Sequence, residues 1–418
     1  MAVITSSSHR NSLPAPPGAR TGIVLSGGGA RGAFQVGVVA GILEVLGKTG
    51  LAHAPFSVLC GTSVGAINAA YLASHAEQQD LGIQGLMDAW KSLRLTDHLR
   101  VNLRGMLGIW SAKNLGDDTS KSGRPIQARA LLDSLPLTDL VKTQVSFDRL
   151  HQNVDEGIVH ALVITALEIS TGRTTMFAEA SPYVSFPESN DPRRNVRRER
   201  IGLEHVLASA ALPLVFPPRR IAGEEYCDGG VRFNTPIAPA IRAGADRLVV
   251  ISLLSEEPHG ETTQIPVEVR EASYKNPVFL LGKILNALLL DPTHYDLQVL
   301  QRFNHMIEML DKVLTPEQLD AFHRVVLEER NMAYRKLSTL VFRPSRDIGE
   351  IALEYARGIR PEGLGSRLLH RLANQRAVWQ SDLISFLCFD GGFAAELIKL
   401  GREEALNRAS EIREFFLD

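Results

Sequence analysis

The residue best suited to covalent chemistry is Ser63, the central serine of a Gly-x-Ser-x-Gly motif. The apolar residues 58–60 precede the motif, and a helix-like run begins directly after it. A serine at a tight strand-to-helix turn holds its hydroxyl exposed, and Gly61 and Gly65 omit the side chains that would collide across the turn. We therefore predict that Ser63 is a nucleophile. The alternative is that small residues simply recur at an ordinary strand-helix junction.

A second glycine-rich turn follows the first apolar run of the chain. Gly27, Gly28 and Gly29 precede Arg31 at the predicted start of a helix. Bare backbone N–H groups in such a turn can stabilise a developing oxyanion, aided by the helix N-terminus and by the Arg31 cation. The same turn also satisfies G-x-G-x-x-G, so a nucleotide-binding protein using residues 27–32 is the competing interpretation. That fingerprint expects an acidic residue at the end of the second strand, where this chain has Cys-Gly-Thr-Ser, so the oxyanion interpretation is favoured.

The candidate general base is Asp228, because a serine hydroxyl needs a base to become a good nucleophile. Asp228 ends a short predicted strand and is followed by Gly229 and Gly230, which places its carboxylate in an open turn. An ordinary Asp-Gly turn is the alternative. The histidines that follow Ser63 have no distinctive local context. A second Asp-Gly-Gly begins at Asp390, but helix-like sequence flanks it, and we interpret it as an interhelical turn.

The elements that must position these residues alternate between short apolar runs and helical patterns. We predict helices at residues 35–46 and 66–75 and strands at residues 23–25, 56–60, 160–167, 174–177 and 247–253. This alternation is typical of an α/β unit with a largely parallel sheet. Two glycine-rich turns that follow neighbouring strands would then lie at the same edge of that sheet.

The chain divides by composition into three parts. Residues 1–20 are rich in Ser, Pro and Ala, lack the apolar core of a secretory signal, and are predicted to be a disordered leader. Residues 21–255 form the predicted catalytic domain, with a less regular insertion or cap between residue 94 and the strand at 160. A linker composition follows residue 255, and residues 256–418 are predicted to be a mainly helical region.

Charge and cysteine content limit the possible partners. The chain has 45 Lys and Arg against 47 Asp and Glu among 418 residues, which gives no electrostatic argument for nucleic acid binding. The three cysteines are widely separated and form neither a disulfide framework nor a paired metal site. No clustered metal ligands are apparent, so we expect no metal and no cofactor. These features favour a cytoplasmic protein.

Membrane contact is predicted to be peripheral at most, because no uninterrupted apolar run is long enough to span a bilayer. Two segments bear on such contact. Five arginines lie within residues 193–200 and could attract anionic head groups, although such clusters are more often solvated loops. Residues 278–290 are apolar without a clean polar face, and we interpret them as a buried helix, with an interfacial or lid role as the alternative.

The three glycine motifs, in their order along the chain, resemble the patatin-like phospholipase family. Two further blocks agree with it: residues 208–213 with 216–218, and the Asn-Thr-Pro at 234–236. The resemblance covers residues 21–255. It implies a three-layer α/β/α fold with a mostly parallel central sheet.

The resemblance also implies a function and its residues. Ser63 would be the nucleophile and Asp228 the base of a dyad without histidine, and the glycines 27–29 with Arg31 would form the oxyanion hole. The implied reaction is the hydrolysis of phospholipid or lysophospholipid esters without a metal. A catalytically silent binding module with the same fold is a further alternative.

Overall fold

The computed structural model describes residues 20–47, 55–94, 135–184, 186–187, 191–213, 215–255, 277–289, 291–330, 336–358 and 381–417. The predicted leader up to residue 19, the first part of the predicted insertion at 95–134 and the predicted linker lie outside these residues. Within the described part, one helical segment, residues 29–47, is long and apolar enough to cross a membrane, but 89% of its most apolar window is buried inside the protein. Core helices commonly have this composition.

A single sheet organises the fold. Its strands are β1 (Thr21–Leu25), β2 (Val58–Thr62), β3 (Ala161–Glu168), β4 (Thr174–Ala180), β5 (Arg194–Arg198), β6 (Arg219–Ile221), β7 (Glu224–Asp228), β8 (Arg247–Ile251) and β9 (Ser338–Phe342). They form a 9-stranded sheet in the order β5-β4-β3-β2-β1-β8-β9, with β7 pairing to β3 and β6 to β7. The five neighbouring strands β3-β2-β1-β8-β9 are parallel, whereas β4 and β7 run antiparallel to β3.

Helices cover both faces of this sheet. The helices are α1 (Ala33–Gly47), α2 (Val64–Ser74), α3 (Gln79–Lys91), α4 (Leu135–Gln144), α5 (Phe147–Asp155), α6 (Leu203–Ser209), α7 (Ile237–Arg242), α8 (Pro277–Leu289), α9 (Asp291–Val313), α10 (Pro316–Arg330), α11 (Ile348–Gly358), α12 (Ser381–Leu387), α13 (Gly391–Asn407) and α14 (Ala409–Leu417). Every side chain of β1 and β2 is buried, as expected for strands covered on both faces. The predicted three-layer α/β/α architecture with a mostly parallel sheet is confirmed.

The larger of the two hydrophobic cores joins α1, α2 and α3 to the C-terminal helices α11 to α14. The smaller core, on the opposite face, contains residues of α7 and α9 packed against the sheet. Helix α1 is apolar around nearly its whole circumference because α13 covers the face that the sheet does not. A Cβ atom added at Gly37 would lie 2.1 Å from the Ile398 carbonyl oxygen, so the backbones of α1 and α13 are in direct contact.

The region after residue 255 completes the same sheet. Strand β9 pairs parallel to β8, with Arg247 opposite Ser338 and Ile251 opposite Phe342. The described residues on both sides of the predicted boundary therefore share one sheet and contribute to both hydrophobic cores. The division at 255 is a change of sequence composition and of family resemblance.

Of two sequence interpretations of C-terminal segments, the structure contradicts one in part and agrees with the other. The apolar segment predicted as a buried helix forms α8, but Leu280 and Ile284 are exposed, so burial on all sides was wrong. Its residues Leu285 and Leu289 are buried in the core, so α8 is covered on one side and exposes apolar side chains on the other. The second Asp-Gly-Gly is an interhelical turn as predicted, since Asp390 accepts a hydrogen bond from the backbone N–H of Gly392 as the N-cap of α13.

The arginine-rich segment forms the edge strand β5 and is not a free cationic patch. Each arginine has a partner: Arg193 and Arg194 contact Asp191, Arg197 contacts Glu199 and Tyr226, Arg198 contacts the Val184 carbonyl, and Arg200 contacts Asp155. The structure therefore gives no specific support to membrane docking through this cluster.

Candidate active site

Ser63 lies at the turn between β2 and α2 in a strained backbone conformation, with φ 57° and ψ −126°. Such angles are rare for a residue with a side chain and are typical of a nucleophile elbow. The flanking glycines are required by space. A Cβ atom at Gly61 would lie 2.2 Å from the Gly65 carbonyl oxygen, and one at Gly65 would lie 2.1 Å from the Leu25 carbonyl oxygen.

Asp228 is brought to Ser63 by the pairing of β7 with β3, in which Asp228 lies opposite Ala166. The Ser63 hydroxyl donates a hydrogen bond of 2.6 Å to Oδ2 of Asp228. The other carboxylate oxygen, Oδ1, accepts a hydrogen bond of 2.7 Å from the backbone N–H of Gly230. This second bond fixes the carboxylate plane, so one oxygen is held against the serine hydroxyl.

The environment of Asp228 makes its carboxyl group a base near neutral pH. Burial raises the pKa of Asp228 from 3.8 to about 7, and hydrogen bonds from Ser63 and Gly230 oppose this shift. The side chain is 1% exposed, so desolvation of the charged form dominates. A buried carboxylate with a raised pKa accepts a proton more readily than an exposed one.

The glycine turn after β1 lies directly against Ser63. A Cβ atom at Gly27 would be 2.9 Å from that of Ser63. The Gly27 N–H donates a hydrogen bond of 2.9 Å to Oδ1 of Asn234, and the Gly27 carbonyl accepts a hydrogen bond of 3.2 Å from the Asn234 side-chain amide. The Gly27 N–H is therefore already satisfied. Gly28 and Gly29 stand at the start of the short 3₁₀ helix Gly29–Gly32, where N–H groups have no partner within the helix.

The structure places the Arg31 side chain differently from the sequence prediction. Its guanidinium is 4% exposed and donates to Ser385, Asn286 and Asp382, at 2.7, 3.4 and 3.3 Å. It also lies 4.4 Å from the ring centre of Phe386. These contacts commit the cation to α8 and α12, because a buried guanidinium needs a counter-charge and acceptors. The predicted role of this cation at the oxyanion is therefore corrected to a structural one.

Helix α8 closes the site from one side. The carbonyl of Leu289 accepts a hydrogen bond from the Asn234 amide. A Cβ atom at Gly230 would lie 2.7 Å from the Leu289 side chain. With Ser63 only 7% exposed, the carboxylate and the hydroxyl sit in a nearly closed environment.

An apolar groove lies along α2, the helix that begins directly after Ser63. Val64, Ile67 and Tyr71 of α2 line one wall at helical spacing, and the other walls come from α3, α4 and Phe389. Trp90 is the largest side chain of the α3 wall. Among the described residues, no group of three or more His, Cys, Asp or Glu side chains is placed to hold a metal ion.

The comparison with known families agrees with this geometry. The sequence profile of the patatin-like phospholipase family matches residues 23–241, which contain the glycine turn, Ser63 and Asp228. The chain belongs to the patatin-like phospholipase family. The family is one of enzymes, and the match confirms the resemblance drawn from the three motifs.

Similar proteins share parts of this patatin-like chain. A cGAMP-activated phospholipase of Pseudomonas aeruginosa is 29% identical over 215 residues, or 51% of this chain and 53% of the relative. The match thus spans about half the length of that relative. Among solved structures, VipD from Legionella pneumophila matches with a TM-score of 0.33 and 14% identity, over 94% of this chain and 67% of VipD. Human GIVD cytosolic phospholipase A2, bound to methyl gamma-linolenyl fluorophosphonate, matches with a TM-score of 0.42 and 12% identity. The match covers 96% of this chain and 59% of the human protein's chain.

Two polar residues of this patatin-like site were not predicted to act there. Asn234 and Ser209 both lie in the blocks that supported the family resemblance, but their sequence context gave no indication of what they contact. Asn234 joins the Gly27 backbone to the segment after Asp228, and the Ser209 hydroxyl accepts a hydrogen bond of 2.9 Å from the Ser63 N–H. Ser209 carried one local signal, as the polar residue of an Ala-Ser-Ala-Ala run, whereas Asn234 carried only its position in the Asn-Thr-Pro block.

Proposed function

We propose that this protein is a serine acyl hydrolase that cleaves phospholipid or lysophospholipid esters with a Ser63–Asp228 dyad. The observation that carries the proposal is the 2.6 Å hydrogen bond between the Ser63 hydroxyl and a buried carboxylate, at a strained strand-to-helix turn. Family membership supports the same class of reaction.

In the proposed first half-reaction, Asp228 accepts the hydroxyl proton as Ser63 Oγ attacks the ester carbonyl carbon. The N–H groups of Gly28 and Gly29 are the proposed donors to the resulting oxyanion. Collapse of the tetrahedral intermediate breaks the ester bond, and the proton on Asp228 passes to the departing alkoxide. The products of this step are an alcohol and an acyl-enzyme.

In the second half-reaction, Asp228 takes a proton from a water molecule that attacks the acyl-enzyme carbonyl. The Ser63 oxygen then leaves and recovers the proton, which releases a fatty acid. One carboxylate serves both steps, and a pKa near 7 suits it to accept and return a proton at neutral pH.

The apolar groove along α2 supports an acyl chain as the substrate portion next to the scissile bond. Helical rise of about 1.5 Å per residue places Tyr71 about 10 Å along the helix from Val64. Burial of methylene groups in such a groove stabilises binding by about 0.8 kcal/mol each. A lipid acyl chain fits this lining better than a polar or charged group would.

The proposed site of action is the cytoplasm, with contact to membranes limited to the substrate surface. All three cysteines are free and buried, which is compatible with a reducing compartment. The partner we propose is the lipid substrate itself. Neither a nucleic acid nor a cofactor has a role in the proposed reaction.

The test is mass spectrometry of the products formed from a mixed phospholipid and lysophospholipid extract. We expect wild type to release free fatty acids and the matching deacylated lipids, and Ser63→Ala to release none. Ser170→Ala, which removes an exposed hydroxyl bonded to Glu168 and Glu224, is the matched control and should behave as wild type. Equal product formation by Ser63→Ala would contradict the proposal, and lack of products from all three would favour a silent binding module.

A chain-length series tests the acyl groove separately. Ile67→Trp adds bulk to the groove wall. Relative to wild type, we expect this variant to hydrolyse long-chain nitrophenyl esters more slowly, with a smaller loss of rate on short-chain ones. An unchanged chain-length profile would remove the groove from the substrate site without affecting the proposed dyad.

A further inference from the structure

We propose that Ser209 is a positioning residue for the nucleophile and that residues 209–211 hold both members of the dyad in register. This inference rests on the proposed function, since it assigns a role within the same reaction. Residues 209–211 begin at the last residue of α6 and form hydrogen bonds with the backbone N–H groups of both Ser63 and Asp228.

On the nucleophile side, the Ser63 N–H donates a hydrogen bond of 2.9 Å to Ser209 Oγ. The Ser209 hydroxyl in turn donates 2.7 Å to the carbonyl of Thr165 in β3. Because its single proton is used on Thr165, the Ser209 oxygen presents a lone pair to Ser63. Ser209 is 0% exposed, so no water competes for this position. The bond therefore fixes the peptide that leads into the strained Ser63.

On the base side, the backbone N–H of Asp228 donates 2.9 Å to the carbonyl of Ala211. Ala211 is only two residues beyond Ser209. The Thr165 carbonyl also lies close to this side, since a Cβ atom at Gly229 would lie 2.4 Å from its oxygen. The same short segment thus forms hydrogen bonds with the backbones of both proposed reacting residues.

This arrangement explains how a two-residue site keeps its geometry without a third side chain to orient the base. A strained backbone relaxes toward a favourable φ unless the surrounding structure holds it. Loss of the Ser209 hydroxyl would free the Ser63 peptide and lengthen the bond between Ser63 Oγ and Asp228. Ser209 is fully buried, so we expect it to influence turnover and not substrate affinity.

The experiment compares Ser209→Ala with Ser74→Ala on a soluble short-chain ester. Ser74 is equally buried, and its hydroxyl donates 2.8 Å to the Tyr71 carbonyl within α2, so it controls for loss of a buried hydroxyl. We expect kcat of Ser209→Ala to fall about tenfold, the scale of one lost hydrogen bond, with KM unchanged. The rate of fluorophosphonate labelling should fall by the same factor. The pH midpoint of kcat should stay, because the surroundings of the Asp228 carboxylate are unchanged.

The results separate positioning from a purely structural role. Wild-type kcat and labelling rate in folded Ser209→Ala overturn the proposal. Ser209→Cys, which keeps a side chain of similar size with a weakly hydrogen-bonding sulfur, should show the same direction of loss and is used if the alanine variant does not fold. Failure of both variants to fold, beside a folded Ser74→Ala, also overturns it. If wild type itself neither turns over nor labels, the proposed function has failed instead.

Discussion

At the scale of single residues, the site concentrates two unfavourable features. Ser63 adopts a left-handed φ, and Asp228 is a buried carboxylate with no cation bonded to it in the described structure. Each costs folding free energy, of the order of 1–3 kcal/mol for the backbone strain. Costs of this kind are typical of catalytic sites, where geometry and pKa are selected for reaction and not for stability.

The pH dependence of turnover should follow the ionisation of Asp228. In the proposed reaction the carboxylate is the reactive form, and burial places its pKa at about 7. We therefore expect kcat on a soluble ester to rise as pH increases from 5 to 8, with a midpoint near 7. A profile that is flat across this range, or that falls with increasing pH, would show that Asp228 is not the base.

Asp228→Asn should separate activity from stability. The folded pKa of about 7 exceeds the ordinary value of 3.8, so the folded protein binds this proton more tightly than the unfolded chain. Stability contributed by the protonated carboxyl is complete below pH 4 and is lost as pH rises through 7. Since Asn is neutral, Asp228→Asn should be more stable than wild type at pH 8, by the order of a few kcal/mol, with no such gain at pH 4.

The same substitution should lower kcat by about 10²–10⁴-fold. Asp390→Asn is the control, because Asp390 caps α13 and lies in the other Asp-Gly-Gly turn. Urea unfolding at the two pH values and ester hydrolysis at pH 8 are the measurements. Equal loss of activity in the two variants, or a destabilised Asp228→Asn at pH 8, would contradict the assignment.

At the scale of elements, the sequence predicted the central strands and first helices well. β1, β2, β3 and β8 coincide with short apolar runs, because strands buried on both faces have continuous apolar sequence, and β4 contains the residues predicted at 174–177. β5 was missed because this edge strand carries three arginines and therefore lacks the apolar run that indicates a buried strand. β9 was missed because it follows a long helical region, and its pairing with β8 is a contact distant in sequence.

The limits at the site have the same physical origin. The serine, the aspartate and the elbow glycines carry local signals, because each sits at a turn whose sequence is restricted by space. No local sequence signal indicates where the Arg31 side chain points, because its acidic partner Asp382 is 351 residues away along the chain. The same is true of Ser209, whose bond to Ser63 joins residues 146 positions apart.

The contact between the glycine turn and α12 predicts a large effect from one buried charge. Asp382 accepts from Arg31 through Oδ1 and from Lys283 through Oδ2, at 3.3 and 2.8 Å. Burial lowers the pKa of Arg31, and Asp382 counteracts this shift. Removal of the counter-charge by Asp382→Asn should destabilise the protein by about 3–5 kcal/mol.

The control for this prediction is Glu354→Gln, which breaks the exposed ion pair with Arg346. Exposed pairs contribute about 0–1 kcal/mol, so this variant should unfold close to wild type in urea. A similar small change for both variants would show that the buried pair does not join the glycine turn to the C-terminal helices.

At the scale of the whole molecule, the family-matched part and the described C-terminal residues share one sheet and both hydrophobic cores. The family match ends at residue 241, whereas the sheet continues to β9 and the α1 face is covered by α13. Helix α1 has an apolar sequence on nearly every side, which is stable only when both layers are present.

A chain ending at residue 255 should therefore fail to form a native core. Its β8 would become an open edge, and α1 would expose the surface that α13 covers. We expect aggregation on expression, or a soluble form without near-ultraviolet circular dichroism and without cooperative unfolding. Cooperative melting of the truncated chain with an intact near-ultraviolet spectrum would show that the C-terminal region is dispensable for the fold.

The central claim is that Ser63 is a nucleophile activated by Asp228, and the most direct measurement is covalent labelling with a fluorophosphonate followed by peptide mass spectrometry. We expect one adduct per chain, located on Ser63, with a labelling rate that rises with pH through about 7 in step with Asp228 ionisation. Asp228→Asn should label far more slowly, and Asp390→Asn at the wild-type rate. An adduct on another serine, or labelling at the wild-type rate in Asp228→Asn, would contradict the account.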